Sequence, residues 1–304
     1  MIKEEYNYYD VEDYLISSID LLISGFPQNE ERSKFFYDIW FNEAKDILLV
    51  NIDENEVAHM RYIHDRNILY DDQFDLCMGL PRILRALGVT ERNVLLDLSS
   101  LSHVLIMFIT KQLLTNVTPR ALFAAYIRPE QYKSQSGTIG YGLSEQICAV
   151  ESVPGFAKRE SDNQKLCAFL GFEGIRLKNV LETMHSIDKL MPIVAFPLGA
   201  PQWFNVTMWN SMDVLQSEAT NVSVYKCFSE SIFDAVILLN EIVSQEDKVV
   251  LAPLGTRAHS MACAIFACHH QATRIVYDFA KENDDRTTGI SDIMVYHLSS
   301  FIRS

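Results

Sequence analysis

Apolar residues alternate between two periods along this chain, and the alternation predicts an α/β protein. Short continuous apolar runs, read as buried strands, are followed by polar turns and then by stretches with helical spacing. Val11, Leu15, Ile19 and Leu22 recur at helical spacing, so residues 11–23 are read as one helix ended by Phe26-Pro27. Phe35 to Ala44 reads as a second helix, Asp46 to Ile52 as a buried strand, and Phe74 to Leu87 as a helix kinked at Pro81 and stopped by Gly88.

The most informative segment follows. Asn93 to Leu98 is a strand, Asp97-Leu98-Ser99-Ser100 a polar turn, Leu101 to Leu114 a helix and Ala121 to Ile127 another strand. Strand, helix and strand within about 35 residues form a βαβ unit, which requires parallel strands and a right-handed crossover. The pattern returns with the strand Lys248 to Ala252, the turn Pro253-Leu254-Gly255-Thr256-Arg257, the helix Ala258 to His269 and the strand Arg274 to Phe279. Between the two units lie strands at Lys165–Leu170 and Pro192–Phe196 and helices at 175–184, 205–215 and 231–243. An alternating tail, Ile293 to Leu298, is expected to close a sheet edge antiparallel.

The fold class is therefore α/β, Rossmann-like, with mostly parallel sheets flanked by helices and two lobes that echo each other. The expected division is 1–135 for a helical extension plus the first lobe, 136–164 for a loop or linker, and 165–304 for the second lobe. The loop carries Gly137, Gly140, Gly142 and Gly155 with several serines.

Composition narrows the function classes. The net charge of −14 opposes phosphate backbones, and no Lys/Arg run forms a basic patch, so direct nucleic-acid binding is not expected. The longest apolar stretch, Val94 to Leu114, is interrupted by Asp97, three serines, His103 and Lys111, which argues against a membrane span. Six scattered cysteines without a CxxC pair, and an acidic start without a basic signal region, give cytoplasmic as the expected location. No cofactor and no metal is expected: Cys263 and Cys268 stand five apart on a helix, and the adjacent Asp284 and Asp285 diverge in space.

Ligands of open parallel sheets bind beyond the carboxyl ends of the strands, where strand order reverses. Those ends hold the candidate residues. Ser99 and Ser100 precede a helix and can either cap it or meet a phosphate or ribose; Arg128 ends the next strand. Gly171 and Gly174 form a Gly-x-x-Gly turn at a helix start. Gly255, Thr256 and Arg257 combine a turn, a cap and a cation, with His259 one step into the helix. Asp97, Glu173 and Asp278 are the candidate catalytic carboxylates if the chain is an enzyme. No G-x-G-x-x-G, Walker or G-x-S-x-G motif is present, which excludes a Walker-type ATPase.

The turns Val94-Leu95-Leu96-Asp97-Leu98-Ser99-Ser100 and Val249-Val250-Leu251-Ala252-Pro253-Leu254-Gly255-Thr256 resemble the ligand edge of CARF-like Rossmann domains, over roughly 90–130 and 245–280. The resemblance implies a dimeric sensor of nucleotide second messengers in prokaryotic antiviral defence; that family's effector nuclease domain is not evident in this chain.

Three functions follow as expectations. The first is a regulatory protein that binds a nucleotide or phosphometabolite and signals to a protein partner or a second copy. The others are a nucleotide- or nucleoside-processing hydrolase or transferase, and a non-catalytic scaffold subunit. The aromatic cluster from Tyr6 to Tyr14 and Phe35 to Phe41 would suit the scaffold.

Overall fold

A computed structural model describes all residues except 1–2, 29, 54, 134–140, 142, 147, 185, 197–200, 218–221, 283–285 and 304. Gly137, Gly140 and Gly142 of the expected loop, the strand end Pro197-Leu198-Gly199-Ala200, and Asp284-Asp285 lie outside the described residues.

The main elements run β1 (Glu5–Asn7), α1 (Tyr8–Ser18), β2 (Leu21–Ser24), α2 (Glu31–Asn42), β3 (Asp46–Ile52), β4 (Ala58–His64), β5 (Asn67–Phe74), α3 (Leu76–Ala86), β6 (Asn93–Asp97), α4 (His103–Thr115) and β7 (Ala121–Ile127). They continue as β8 (Glu151–Ser152), β9 (Gln164–Leu170), α5 (Gly174–Thr183), β10 (Ile187–Ala195), α6 (Pro201–Ser217), β11 (Tyr225–Cys227), α7 (Ile232–Ile242), β12 (Val249–Pro253), α8 (Arg257–His269), β13 (Thr273–Tyr277), β14 (Ile293–His297) and α9 (Leu298–Arg303). Chain contacts divide the molecule into one unit of 1–131 with 287–304 and another of 132–286.

The first unit holds an eight-stranded sheet in the order β1-β14-β7-β6-β2-β3-β4-β5. Its centre, β7-β6-β2-β3, is parallel, and both flanks are antiparallel. The second unit holds a six-stranded sheet, β8-β13-β12-β9-β10-β11, parallel except for β8. Each unit thus contains the same four-strand arrangement, in which the first strand of the parallel core lies between its own βαβ neighbour and the strand of a later βαβ unit. The α/β, Rossmann-like reading stands.

Three expectations are corrected. Residues 11–23 are not one helix: α1 stops at Ser18, and Leu21 to Ser24 form β2, completely buried in the middle of the sheet. Apolar residues at 15, 19 and 22 fit a helix as well as a helix followed by a strand, and Asp20 marks the break by accepting from the backbone N–H of Asn93 at 2.8 Å. The tail 287–304 belongs with the first unit rather than the second lobe, because β14 pairs with β7 on one side and β1 on the other and buries Ile293, Val295 and Tyr296. Residues 136–164 are not wholly a linker, since β8 within them joins the second sheet. β4 and β5, a hairpin that extends the first sheet, have no counterpart in the sequence reading; their polar faces hide the period.

Among the described residues, no helix is long and apolar enough to cross a membrane.

Candidate functional site

Strand order reverses between β2 and β6 in the first unit and between β9 and β12 in the second. These are the two places where a parallel sheet opens a crevice beyond its carboxyl ends.

In the first unit that crevice is laced shut. A Cβ on Gly25 would collide with the backbone carbonyl of Ser100, so the ends of β2 and β6 touch backbone to backbone. Ser100 Oγ accepts from the Gly25 N–H at 2.8 Å and shares a 2.8 Å hydrogen bond with Ser24 Oγ; Ser24 in turn donates to Asp97 at 3.1 Å. Asp97 is fully buried and also accepts from the Ser99 N–H. The Ser99 hydroxyl accepts from the Ile127 N–H at 2.7 Å. Neither Ser99 nor Ser100 caps α4: Ser102 does, accepting from the Leu105 N–H. Arg128 pairs with Asp292 and donates to Ser291 Oγ, fastening the tail. Ser24 and Gly25, which complete this network, are concealed in the sequence by the helical spacing of residues 11–23. Their signal is a Ser-Gly directly after an apolar run, the same strand-end grammar as elsewhere.

The second crevice is built differently. A Cβ on Gly171 would collide with the carbonyl of Leu254, so the ends of β9 and β12 again touch, but here glycine stands on both sides. A Cβ on Gly255 would stand 3.0 Å from Leu170 O and 3.1 Å from His259 Nδ1. Thr256 caps α8 by accepting from the His259 N–H, and its own hydroxyl donates to Ser229 O at 2.7 Å. Arg257 and His259 are buried in the first turn. The His259 Nε2 lies 2.9 Å from Phe228 O, which fixes Nε2 as the protonated nitrogen in a neutral ring. Its Nδ1 is buried and has no hydrogen-bond partner among the described residues. Burial pushes the His259 pKa down to about 4, so the ring is neutral at pH 7. That acceptor nitrogen lies in the first turn of a thirteen-residue helix, close against Gly255.

The remaining candidates are occupied by structure. Asp278 is fully buried and holds Arg176 in a two-pronged ion pair, 2.6 Å on each arm; Arg176 also donates to Leu254 O and stacks on the Tyr277 ring. Burial alone would lower the Arg176 pKa, but Tyr277 and Asp278 more than offset it and the guanidinium stays charged. Glu173 accepts from the N–H groups of Leu143 and Ser144 and from the Ser144 hydroxyl, pinning that loop to the start of α5. Gly174 faces the Asn210 carbonyl and lets α5 and α6 pack closely. The fold thus gathers Gly171, Gly255, Thr256 and Arg257 with His259 at one edge, and separates Gly174 from it. Among the described residues no group of His, Cys, Asp and Glu is arranged to hold a metal ion.

No protein-family model matches this chain, and no curated protein matches it.

Proposed function

We propose that the chain binds a nucleotide or other phosphometabolite at the carboxyl edge of the second sheet and acts as a regulatory protein, a sensor of the kind the CARF-like resemblance implies. One observation carries this reading: the Nδ1 of His259, in the first turn of α8 beside Gly255, is buried without a hydrogen-bond partner among the described residues. A buried polar atom without a partner costs stability, and a ligand hydroxyl or amine donated to it would recover that cost. The helix N-terminus next to it favours an anion, so a phosphate with a nearby hydroxyl, as in a phosphorylated ribose, matches both groups.

The three carboxylates that an enzyme reading would use favour it less, since each accepts from fixed internal donors. The test is native mass spectrometry of the gently purified full chain, followed by denaturing analysis of what it carries. A co-purifying phosphorylated compound is the expected result. A chain that arrives empty and binds no nucleotide or sugar phosphate by calorimetry would overturn the reading.

A protein-interface role is favoured by a separate feature. β5 is an edge strand, and its Ile68, Leu69 and Tyr70 are each more than half exposed.

A further inference from the structure

The tyrosines near the start of the chain divide into two groups. Tyr8 is buried and meets Phe35 and Phe36 edge-on, so it belongs to the core of the first unit. Tyr6, on the edge strand β1, and Tyr9 and Tyr14, on α1, turn outward and are 42%, 60% and 61% exposed. Asp10, Glu12 and Asp13 on α1 are exposed as well. At 3.6 residues per turn, Asp13 and Asp10 fall between Tyr9 and Tyr14 around the helix, so two rings flank two carboxylates. α1 contains no Lys or Arg, and none of its three carboxylates has an ion-pair partner among the described residues. Asp10 and Asp13 stand three residues apart, a spacing at which like charges repel. The field reaches inward too: burial, and after it the charges of Glu12 and Asp13, push the Tyr8 phenol up to about 12.

Uncompensated carboxylates set between exposed rings are complementary to guanidinium groups, which pair with the former and stack on the latter. We infer that the outer face of α1, with the adjoining Tyr6, docks a basic, arginine-bearing segment of a partner protein. Each arginine lies over a tyrosine ring with its guanidinium against the neighbouring aspartate. The same carboxylates repel a nucleic-acid backbone, an anionic membrane surface and the same face of a second copy. This docking face is independent of the phosphate-binding reading, since it lies in the first unit and the ligand edge lies in the second.

Fluorescence anisotropy on the full chain tests this with three labelled peptides, in which glycine alternates with arginine, lysine or glutamate. The arginine peptide should bind, more weakly as salt is added, and the glutamate peptide should not. Arginine should be preferred to lysine by about threefold, because the guanidinium also stacks. Asp10→Asn combined with Asp13→Asn should weaken binding of the arginine peptide about fivefold. Glu241→Gln combined with Glu246→Gln removes the same charge from exposed positions in the second unit and should leave binding unchanged. Tyr9→Leu combined with Tyr14→Leu should abolish the preference for arginine over lysine. Circular dichroism checks that each variant folds, which the exposure of the substituted side chains makes the expected outcome. If the arginine peptide does not bind at physiological salt, or if both charge variants weaken it equally, the inference is overturned and any attraction belongs to the net charge of −14 as a whole. A tyrosine variant that keeps the full preference for arginine would also overturn it, since the rings would then have no part in docking.

Discussion

At the scale of single residues, burial takes His259 well away from its chemistry in water. Its folded pKa, about 4, lies below the ordinary imidazole value near 6.5, so the unfolded chain binds the extra proton first. Stability contributed by the neutral ring is complete above about pH 6.5 and is lost as the pH falls from there towards 4. The loss amounts to up to about 3 kcal/mol. Urea unfolding at pH 7 and pH 5 should show it in the native sequence, and His259→Gln should flatten the difference. An equal pH dependence in the variant would mean that another group is responsible. The Arg176–Asp278 pair belongs to the same scale. Two charges are sealed inside, each the partner of the other, which is why a carboxylate at a strand end is not by itself a catalytic acid.

At the scale of elements, the decisive contacts are backbone to backbone. β9 and β12 meet at Gly171, where a methyl group would overlap the Leu254 carbonyl, and no flexible side chain is there to yield. Gly171→Ala should therefore cost about 2–3 kcal/mol in chemical denaturation. Gly88, at φ +64° with open space around it, provides the comparison, and Gly88→Ala should cost only about 1 kcal/mol of left-handed strain. If the two substitutions proved equal, close strand approach would not be what Gly171 serves. The same logic holds for Gly25 against Ser100 in the other sheet. Helix starts follow local chemistry more faithfully. Ser102, Thr256, Ser231 and Asp75 each cap a helix through the side chain, and each precedes a run of helical spacing.

At the scale of the whole molecule, the chain leaves its first unit at residue 131, builds a second, and returns at 287 to insert β14 between β1 and β7. The first sheet is therefore complete only when both ends of the chain have been used. Its far edge, β5, is the exposed feature that most needs a cover, since edge strands of monomers are normally polar or blocked. Light scattering of the full chain should report a mass above that of one copy, and Leu69→Lys should shift it towards the monomer. A single-copy mass for the native chain, unchanged by the substitution, would remove the argument for an interface at this strand. The net charge of −14 opposes loose aggregation, so association through this edge should strengthen with added salt.

The local grammar of the chain sufficed for much of this. β3 and β7 match their apolar runs to the residue, and the two later βαβ units, with the turns Asp97–Ser100 and Pro253–Arg257, were legible because each element is long enough to show its own period. Thr256 as a cap and the gathering of Gly255, Thr256 and Arg257 at a helix start also follow from sequence, since a cap depends on residues close along the chain. Only the tertiary structure decided the rest. Leu21 to Ser24 became a strand because β3 and β6 stand on either side to satisfy its backbone, and no local period reports that. The tail joined the first sheet because β7 offered an open edge. Ser99 and Ser100 were turned inward by Ile127 and Gly25, and Asp278 was claimed by Arg176 from 102 residues away. A sequence names the groups able to bind or react; which of them remain available depends on what distant backbone and side chains require of them.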